Sequence, residues 1–285
     1  MKIYKFKVIP LSSFSSHVKG DLLYGFFNYW AFKLNKGDFL KKVIFSDFLP
    51  KDFFPKPALS MECFRVSEDE RKEFKKIKFV SKKTLKNLSN VLKDKMIKKI
   101  DDENKEVSFF KSKLSVRNAL NRFTNQTDEV FSVYSDEEVV YTYPIEMYVA
   151  ANKIDIEFIE KFLNEIGPFG IGKKSSIKGK FQVEFLNEVN LNKSKYGITL
   201  SPIVSKDLIS YEIYTKYGKF FASSKPYKKP VIFADSGSVV EFKDFVMGEN
   251  LENGYSKTSF IQGKSIIYPL EGLNNLDCIK ANYEN

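Results

Sequence analysis

The 285-residue sequence has little of the chemistry on which metal sites and nucleophilic enzymes depend. It has one histidine, His17, and two cysteines, Cys63 and Cys278, with no CxxC pair. A structural zinc site draws on several cysteine and histidine ligands, so none is expected. A Ser-His-Asp triad would have to use His17. The wide cysteine spacing favours a reducing compartment over a disulfide framework. We therefore expect no metal and no cofactor.

Long apolar runs are also missing. No stretch approaches the roughly 18 apolar residues that a membrane helix needs. The opening MKIYKFKVIP alternates charged and apolar side chains, unlike a signal peptide. A content of 43% hydrophobic residues, with 28 Phe and 15 Tyr, argues against disorder and for a buried core. We expect a soluble, cytoplasmic protein with no membrane partner.

Arginine is scarce, and the positive charge is local. Only 4 of the 46 basic residues are Arg, and with 36 acidic residues the formal net charge is +10. Residues 71–99 alone hold 12 basic and 2 acidic residues, which equals the net charge of the whole chain. Such a run is usually a solvated surface, but its density also favours attraction to a polyanion.

Hydrophobic patterning predicts an α+β protein. Residues 2–9 and 179–186 alternate as strands, whereas 21–34 and 155–166 have apolar residues at helical spacing. Residues 138–150 are strand-like, with Pro144 requiring an edge or a bulge. With an irregular insertion, this order fits a βαββαβ ferredoxin-like (RRM-like) unit.

The last hundred residues predict a second, strand-rich unit. Candidate strands, separated by turn signals, lie at 197–204, 209–217, 229–234, 237–243 and 258–268. We therefore expect two ferredoxin-like domains. The first spans 1–187 with a lysine-rich insertion at about 46–130, and the second spans 188–285.

The most distinctive motif is GPFGIGKKSSIKGK at 167–180. Its glycines let backbone amides approach a phosphate, and its lysines neutralise one. It nearly matches a P-loop, but Lys174 stands where a P-loop has Ser or Thr. The motif also follows a helix and enters a strand, the reverse of a P-loop, so we reject an NTPase. Between a solvated loop and RNA-backbone contact we favour contact, through Gly170, Gly172, Lys173, Lys174, Ser175, Ser176, Lys178 and Lys180.

Two of the four arginines lie in RNALNRFTN at 117–125. In a chain whose usual cation is lysine, arginine suggests forked or stacking contacts, and the alternative is an internal salt bridge. We regard Arg117, Asn118, Arg122 and Phe123 as secondary candidates for RNA contact.

His17 lies between the first strand and the first helix, in SSHVKG. A histidine there suits either a general base for RNA cleavage or a structural hydrogen bond, and we favour the structural role. His17 and Lys19 complete the set of candidate RNA-contacting residues.

In this order, these segments resemble the RAMP superfamily of CRISPR proteins, which have ferredoxin-like domains and a glycine-rich loop after the second helix. Within it, the chain is similar to the fourth Csm subunit, the Cas-five-group member of type III-A effector complexes. The family loop commonly ends Ser-Ser-Gly-x-Gly, and Ile177 replaces the first of these glycines. Isoleucine disfavours positive φ, so the local backbone at residue 177 is expected to differ from that of the family loop. The likeness rests on GDLLYGF at 20–26, SDFLP at 46–50, PKP at 55–57, NRFT at 121–124 and DSGSV at 235–239.

The resemblance implies a non-catalytic subunit that holds the 5′ repeat-derived tag of the CRISPR RNA (crRNA). It also implies docking to the large polymerase-like signature subunit and to the first backbone RAMP subunit of the filament. Two alternatives stay open. One is a metal-independent endoribonuclease that processes repeat RNA with His17, and the other is a protein-docking module whose lysines only keep the surface soluble.

Overall fold

A computed structural model describes residues 1–39, 41–61, 63–64, 66–88, 108–118, 133–173, 175–218, 229–252, 260–271 and 273. Within them the protein is α+β, with antiparallel strands and few helices, as predicted. The helices are α1 (Gly20–Lys33), α2 (Arg71–Lys76), α3 (Lys82–Lys86) and α4 (Ile156–Ile166). The strands are β1 (Lys2–Pro10), β2 (Ile44–Phe45), β3 (Leu49–Pro50), β4 (Phe53–Pro55), β5 (Phe79–Ser81), β6 (Phe110–Asn118), β7 (Val133–Tyr141), β8 (Ile145–Ala151), β9 (Phe181–Val189), β10 (Tyr196–Thr199), β11 (Leu208–Ser210), β12 (Ile213–Lys216), β13 (Val231–Ala234), β14 (Val239–Glu241), β15 (Val246–Gly248), β16 (Leu251–Glu252), β17 (Phe260–Ile261) and β18 (Lys264–Pro269).

The N-terminal half is organised around one antiparallel sheet. Its strands lie in the order β2-β8-β1-β9, and β3 also pairs with β8. Along the chain, β1, α1, β2, β8, α4 and β9 follow the β-α-β-β-α-β order of a ferredoxin-like unit. Tyr4, Phe6 and Val8 of β1 are all buried, as the alternation of residues 2–9 predicts.

Helix α1 supplies much of the core above this sheet. Leu23, Phe27 and Ala31 recur every four residues on one face and are fully buried. The Phe27 ring packs 5.4 Å from that of Phe45 and 5.2 Å from that of Phe162 on α4. Full burial of such side chains contributes about 1.5–3 kcal/mol each, so packing holds this helix in place.

The insertion between β2 and β8 is partly folded onto the same core. Strand β4 pairs with β5, and Leu85 and Leu88 are buried beneath the exposed lysines of α2 and α3. Phe64 and Phe74 pack with their ring centroids 4.9 Å apart. The described part of the lysine-rich run therefore has a solvated surface over an apolar base.

Pro144 divides what the sequence predicts as one strand at 138–150. Strand β7 ends at Tyr141 and pairs with β6, whereas β8 begins at Ile145 and lies inside the first sheet. The Pro144 carbonyl accepts a hydrogen bond from the amide of Lys51, 2.8 Å away. Proline has no N–H to donate to a ladder, so the chain changes sheets there.

The C-terminal half is built on a second antiparallel sheet, in the order β11-β14-β10-β18-β15. Four of its strands overlap predicted segments, and β15 lies between two of those segments, where no strand is predicted. The structure describes 188–218, 229–252, 260–271 and 273 of this half and has no helix in them, so it does not reproduce the predicted ferredoxin-like pattern.

The two halves share one core across the predicted boundary at residue 187. The rings of Phe54 and Tyr268 stack 4.2 Å apart. The Gln262 side chain accepts a hydrogen bond from the Phe45 amide (2.9 Å) and donates one to the Phe45 carbonyl (2.8 Å). The boundary between two domains stays a prediction, since packing does not separate the halves.

Cys63 is buried and disulfide-bonded. This corrects the expectation of isolated thiols drawn from the cysteine spacing.

Among the described residues, no group of three or more His, Cys, Asp or Glu is arranged to hold a metal ion. In the same part of the chain, no helix combines the length and apolarity needed to cross a membrane.

Candidate nucleic-acid interface

The glycine-lysine loop at 167–180 folds against the connection between β1 and α1. The Gly179 amide donates to the Ser13 carbonyl (2.7 Å), and the Lys180 amide donates to Ser12 Oγ (2.9 Å). The Lys173 amide donates to Ser15 Oγ at 3.2 Å. The structure thus brings together two segments, the loop and the SSHVKG stretch, that the sequence singled out separately.

Two glycines of the loop are required by its own fold. A Cβ on Gly170 (φ 79°) would lie 2.2 Å from the Ser175 carbonyl oxygen, and one on Gly179 (φ 72°) would lie 2.1 Å from the Ile171 carbonyl oxygen. Only glycine tolerates such approaches together with left-handed backbone. These two glycines shape the loop, whatever it binds.

Ile177 is accommodated without strain at the position where the RAMP pattern has glycine. Among the described residues, the non-glycine positions with positive φ are Asn35, Lys41 and Asp52, so Ile177 has an ordinary φ. Its side chain is about half exposed.

Lys178 differs from its predicted role as a phosphate contact. Its side chain is buried and ion-paired with Asp136 and, at 2.9 Å, with Glu138 Oε1. Burial alone would lower the pKa of Lys178, but the hydrogen bonds that its ammonium donates to Asp136 and Glu138 raise the pKa above its ordinary value. Because its charge is enclosed and compensated, this lysine ties the loop to β7 and cannot reach a phosphate in solution.

The solvent side of the loop keeps the other candidates. Gly172, Lys173 and Ser176 are exposed, and Ser175 and Lys180 are half-buried. Lys174 lies outside the described residues. We use the name loop surface for a set of exposed or half-buried polar and glycine residues of the loop and its neighbours, namely Ser15, Ser16, His17, Lys78, Gly172, Lys173, Ser175, Ser176 and Lys180.

His17 is a half-buried aromatic residue within this basic surface. Its ring lies edge-on 4.2 Å from Phe110 and 6.0 Å from Tyr141. Burial, together with the ammonium groups of Lys78 and Lys19, lowers its pKa to about 4. The imidazole is therefore neutral near pH 7. Its ring contacts agree with the structural role that the sequence favours.

Lys19 has structural partners. Its ammonium is ion-paired with Asp235 and lies 4.1 Å from the centre of the Tyr214 ring. Next to it, Asp47 is buried and accepts a hydrogen bond from the Gly20 amide at 2.8 Å. Burial raises the pKa of Asp47 to about 7, against the opposing effects of Lys19 and the Gly20 amide. Sequence reasoning did not assign these aspartates, although both lie in stretches that carried the resemblance.

The described part of the arginine segment belongs to the β6-β7 hairpin. Arg117 and Asn118 end strand β6, opposite Tyr134 and Val133, at the end of the hairpin away from Phe110. Arg117 lies two positions along β6 from Ser115, whose partner Asp136 on β7 is ion-paired with Lys178 of the loop. RNA contact by Arg117 and Asn118 stays a prediction. Arg122 and Phe123 lie outside the described residues.

Comparison with known proteins gives matches among solved structures. No protein-family model and no curated protein matches the chain. A chain from the crystal structure of the Csm3-Csm4 subcomplex in the type III-A CRISPR-Cas interference complex superposes with a TM-score of 0.62 at 19% identity. This match covers 94% of the present chain and 99% of the other.

Two further structures agree. The crystal structure of the Csm1-Csm4 cassette in complex with pppApA matches with a TM-score of 0.60 at 18% identity, over 95% of this chain and 98% of the other. A chain of the type III-B Cmr-beta complex bound to cognate target RNA and AMPPnP matches with a TM-score of 0.52 at 12% identity, over 83% and 86%. The chain therefore has the fold found in the Csm3-Csm4 and Csm1-Csm4 structures, of which Csm4 is the shared component.

Proposed function

We propose that this chain is a Csm4-like, non-catalytic subunit of a type III-A CRISPR effector complex. In this role it binds the 5′ repeat-derived tag of the crRNA through the loop surface. It docks a large polymerase-like subunit, as Csm1, and a backbone RAMP subunit, as Csm3.

The observation that carries the proposal is the extent of the structural likeness. It covers 94–95% of this chain and 98–99% of chains from two different pairwise assemblies, Csm1-Csm4 and Csm3-Csm4. A fold alone does not imply a function. A match over nearly the full length of both chains, however, leaves little of either protein unaccounted for.

The loop surface supports the RNA-binding part of the proposal. It presents Lys173 and the hydroxyl of Ser176 to solvent, next to a turn rich in glycine. Lysines that neutralise phosphates supply much of the affinity for single-stranded nucleic acid. Two nearby lysines, Lys178 and Lys19, are ion-paired to carboxylates, so fewer cations are left to face an RNA than the sequence suggests.

The chemistry at His17 supports a non-catalytic role. With a pKa of about 4, its imidazole is a weak base near pH 7, and its described ring contacts are with Phe110 and Tyr141. A general base works best when its pKa lies near the operating pH.

Reconstitution tests the proposal. The chain is co-expressed with the large and backbone subunits and a CRISPR array of its own system, and purified through a tag on this chain. We expect both subunits and a crRNA to co-purify, and ultraviolet cross-links to join this chain to the 5′ tag. If the cross-links are confined to the other subunits, the result would favour a protein-docking module that does not bind the RNA tag. Loss of repeat-RNA cleavage in a His17→Ala variant would instead favour an endoribonuclease.

A further inference from the structure

An exposed aromatic ring adjoins the loop surface and has no role in the function proposed above. Phe169 follows the Gly-Pro pair that ends α4, and 49% of it is exposed. Its ring stacks on that of Trp30 of α1, with the centroids 4.6 Å apart and the planes 29° apart. Trp30 in turn packs edge-on against Tyr29 at 5.5 Å. One face of Phe169 is therefore supported while the residue remains half open to solvent.

The backbone holds this ring in place. A Cβ on Gly167 would lie 2.2 Å from the Phe181 carbonyl oxygen, so the chain passes close against β9 immediately before Phe169. Immediately after it, the Gly170 amide donates to the Gly167 carbonyl at 3.0 Å. The backbone is thus held in place both before and after Phe169. The turn therefore loses little conformational entropy when the Phe169 ring contacts a ligand.

Phe169 lies within the loop at 167–180, one residue before Gly170. A Cβ on Gly170 would lie 2.2 Å from the Ser175 carbonyl oxygen and 2.3 Å from that of Lys178. Consecutive Cα atoms are about 3.8 Å apart, so the backbone of Phe169 lies next to the strand-side half of the loop. Exposed Lys173 and Ser176 belong to the same loop.

We propose that Phe169, supported by Trp30, is a stacking platform for a nucleobase of the single-stranded RNA whose backbone the loop surface contacts. The inference rests on the proposed function and deepens it. Proteins that bind single strands combine cations along the backbone with aromatic faces for the bases, and stacking tolerates any base. A rigid, half-exposed ring beside a lysine loop has both parts of that arrangement.

Fluorescence of 2-aminopurine tests the platform, because stacking on an aromatic ring quenches it. The full-length chain is titrated into a set of tag-length single-stranded RNAs, each with 2-aminopurine at one position. We expect the wild-type chain to quench one position most strongly. The Phe169→Leu substitution should abolish that quenching and weaken binding roughly tenfold, whereas Phe169→Trp should retain both.

The matched control is Phe32→Leu on α1. Phe32 is 45% exposed, comparable to Phe169, but belongs to the exposed end of the helix. Its substitution should leave quenching and affinity unchanged. Equal losses in the two leucine variants would overturn the platform, since they would mean a general effect of exposed aromatic area.

The remaining outcomes separate this inference from the proposed function. If Lys173→Ala weakens binding but Phe169→Leu leaves the quenching intact, the loop contacts RNA and the platform is wrong. If the wild-type chain and the assembled complex show no RNA contact through this chain, both ideas fail. If Phe169→Leu keeps RNA quenching but loses a partner subunit on purification, the ring is a protein-docking residue and the inference is overturned.

Discussion

Lys173 and Lys178 are five positions apart in one loop and have opposite environments. Lys173 is exposed to solvent, and its backbone amide donates a hydrogen bond to Ser15 Oγ. Lys178 is enclosed, with its ammonium on Asp136 and Glu138. The number of lysines in such a motif therefore does not equal the number of cations that a ligand can contact. One lysine holds the loop to the protein, and the other is available to a ligand.

The largest effect on stability is expected when the buried lysine, Lys178, is substituted. Substituting Lys178→Met keeps the apolar length of the side chain but leaves Asp136 and Glu138 without their ammonium. Removal of one partner from a buried ion pair costs about 3–5 kcal/mol. Because Asp136 is partly exposed, we expect the lower end, about 3 kcal/mol of unfolding free energy, measured by urea denaturation.

Lys173→Met is the matched control on the exposed side. It should change the unfolding free energy by no more than about 0.5 kcal/mol, as surface substitutions usually do. Adding Glu138→Gln and Asp136→Asn to Lys178→Met should restore most of the lost stability. Equal stability of the two single methionine variants would contradict the structural role of Lys178.

A smaller effect is expected at a second enclosed ion pair, outside the loop. Asp21 of α1 is buried and ion-paired with Lys216 of β12. Within the described residues its Oδ1 has no hydrogen-bond partner, so the ammonium compensates most of the charge. Lys216→Met should cost about 2 kcal/mol of unfolding free energy, since Lys216 itself is partly exposed.

The exposed pair between Lys243 and Asp207 is the control for this prediction. Lys243 is well exposed, and surface pairs contribute about 0–1 kcal/mol. Lys243→Met should therefore cost clearly less than Lys216→Met in the same denaturation experiment. If Lys216→Met and Lys243→Met lose the same unfolding free energy, burial of the ion pair does not determine how much each lysine contributes to stability.

A stability effect of similar size depends on pH and concerns His17, beside the exposed end of the loop. Its pKa is about 4 in the folded protein and 6.5 ordinarily. Between these values the unfolded chain takes up a proton that the folded chain does not, so this contribution to stability falls as the pH drops from about 6.5 to about 4. It amounts to an effect on the order of 2 kcal/mol.

Comparison with His17→Gln isolates this contribution from that of Asp47, whose raised pKa acts in the opposite direction. Relative to wild type, the glutamine variant should gain unfolding free energy when the pH is lowered from 7 to 4.5. A difference between the two proteins that does not change with pH would mean that His17 titrates normally in the fold.

Local patterns predicted the elements that position the loop. The alternation of Tyr4, Phe6 and Val8 and the helical spacing of apolar residues at 21–34 are properties of single segments, and the structure has the strand and the helix that they predict. The loop also lies between a helix and a strand, as predicted. These features depend on neighbours within a few positions, which a sequence displays directly.

What the sequence did not reveal is long-range. Lys178 is buried by two carboxylates on β7, some forty positions earlier in the chain, and no local pattern marks that pairing. Likewise β10 pairs with β18 across most of the C-terminal half, so its sheet order was not readable from strand spacing. The Trp30–Phe169 stack joins two helical segments and was missed for the same reason.

The salt dependence of RNA binding by Lys173→Ala tests the central claim most directly. Tag-length single-stranded RNA is titrated with the full-length wild-type chain, with Lys173→Ala, and with Lys193→Ala, an exposed lysine between β9 and β10. For a lysine that neutralises one phosphate, the slope of log affinity against log salt should fall in magnitude by about 0.7 for Lys173→Ala. The Lys193→Ala chain should match wild type. An unchanged affinity and slope for Lys173→Ala would contradict the assignment of the loop surface as the RNA-binding site.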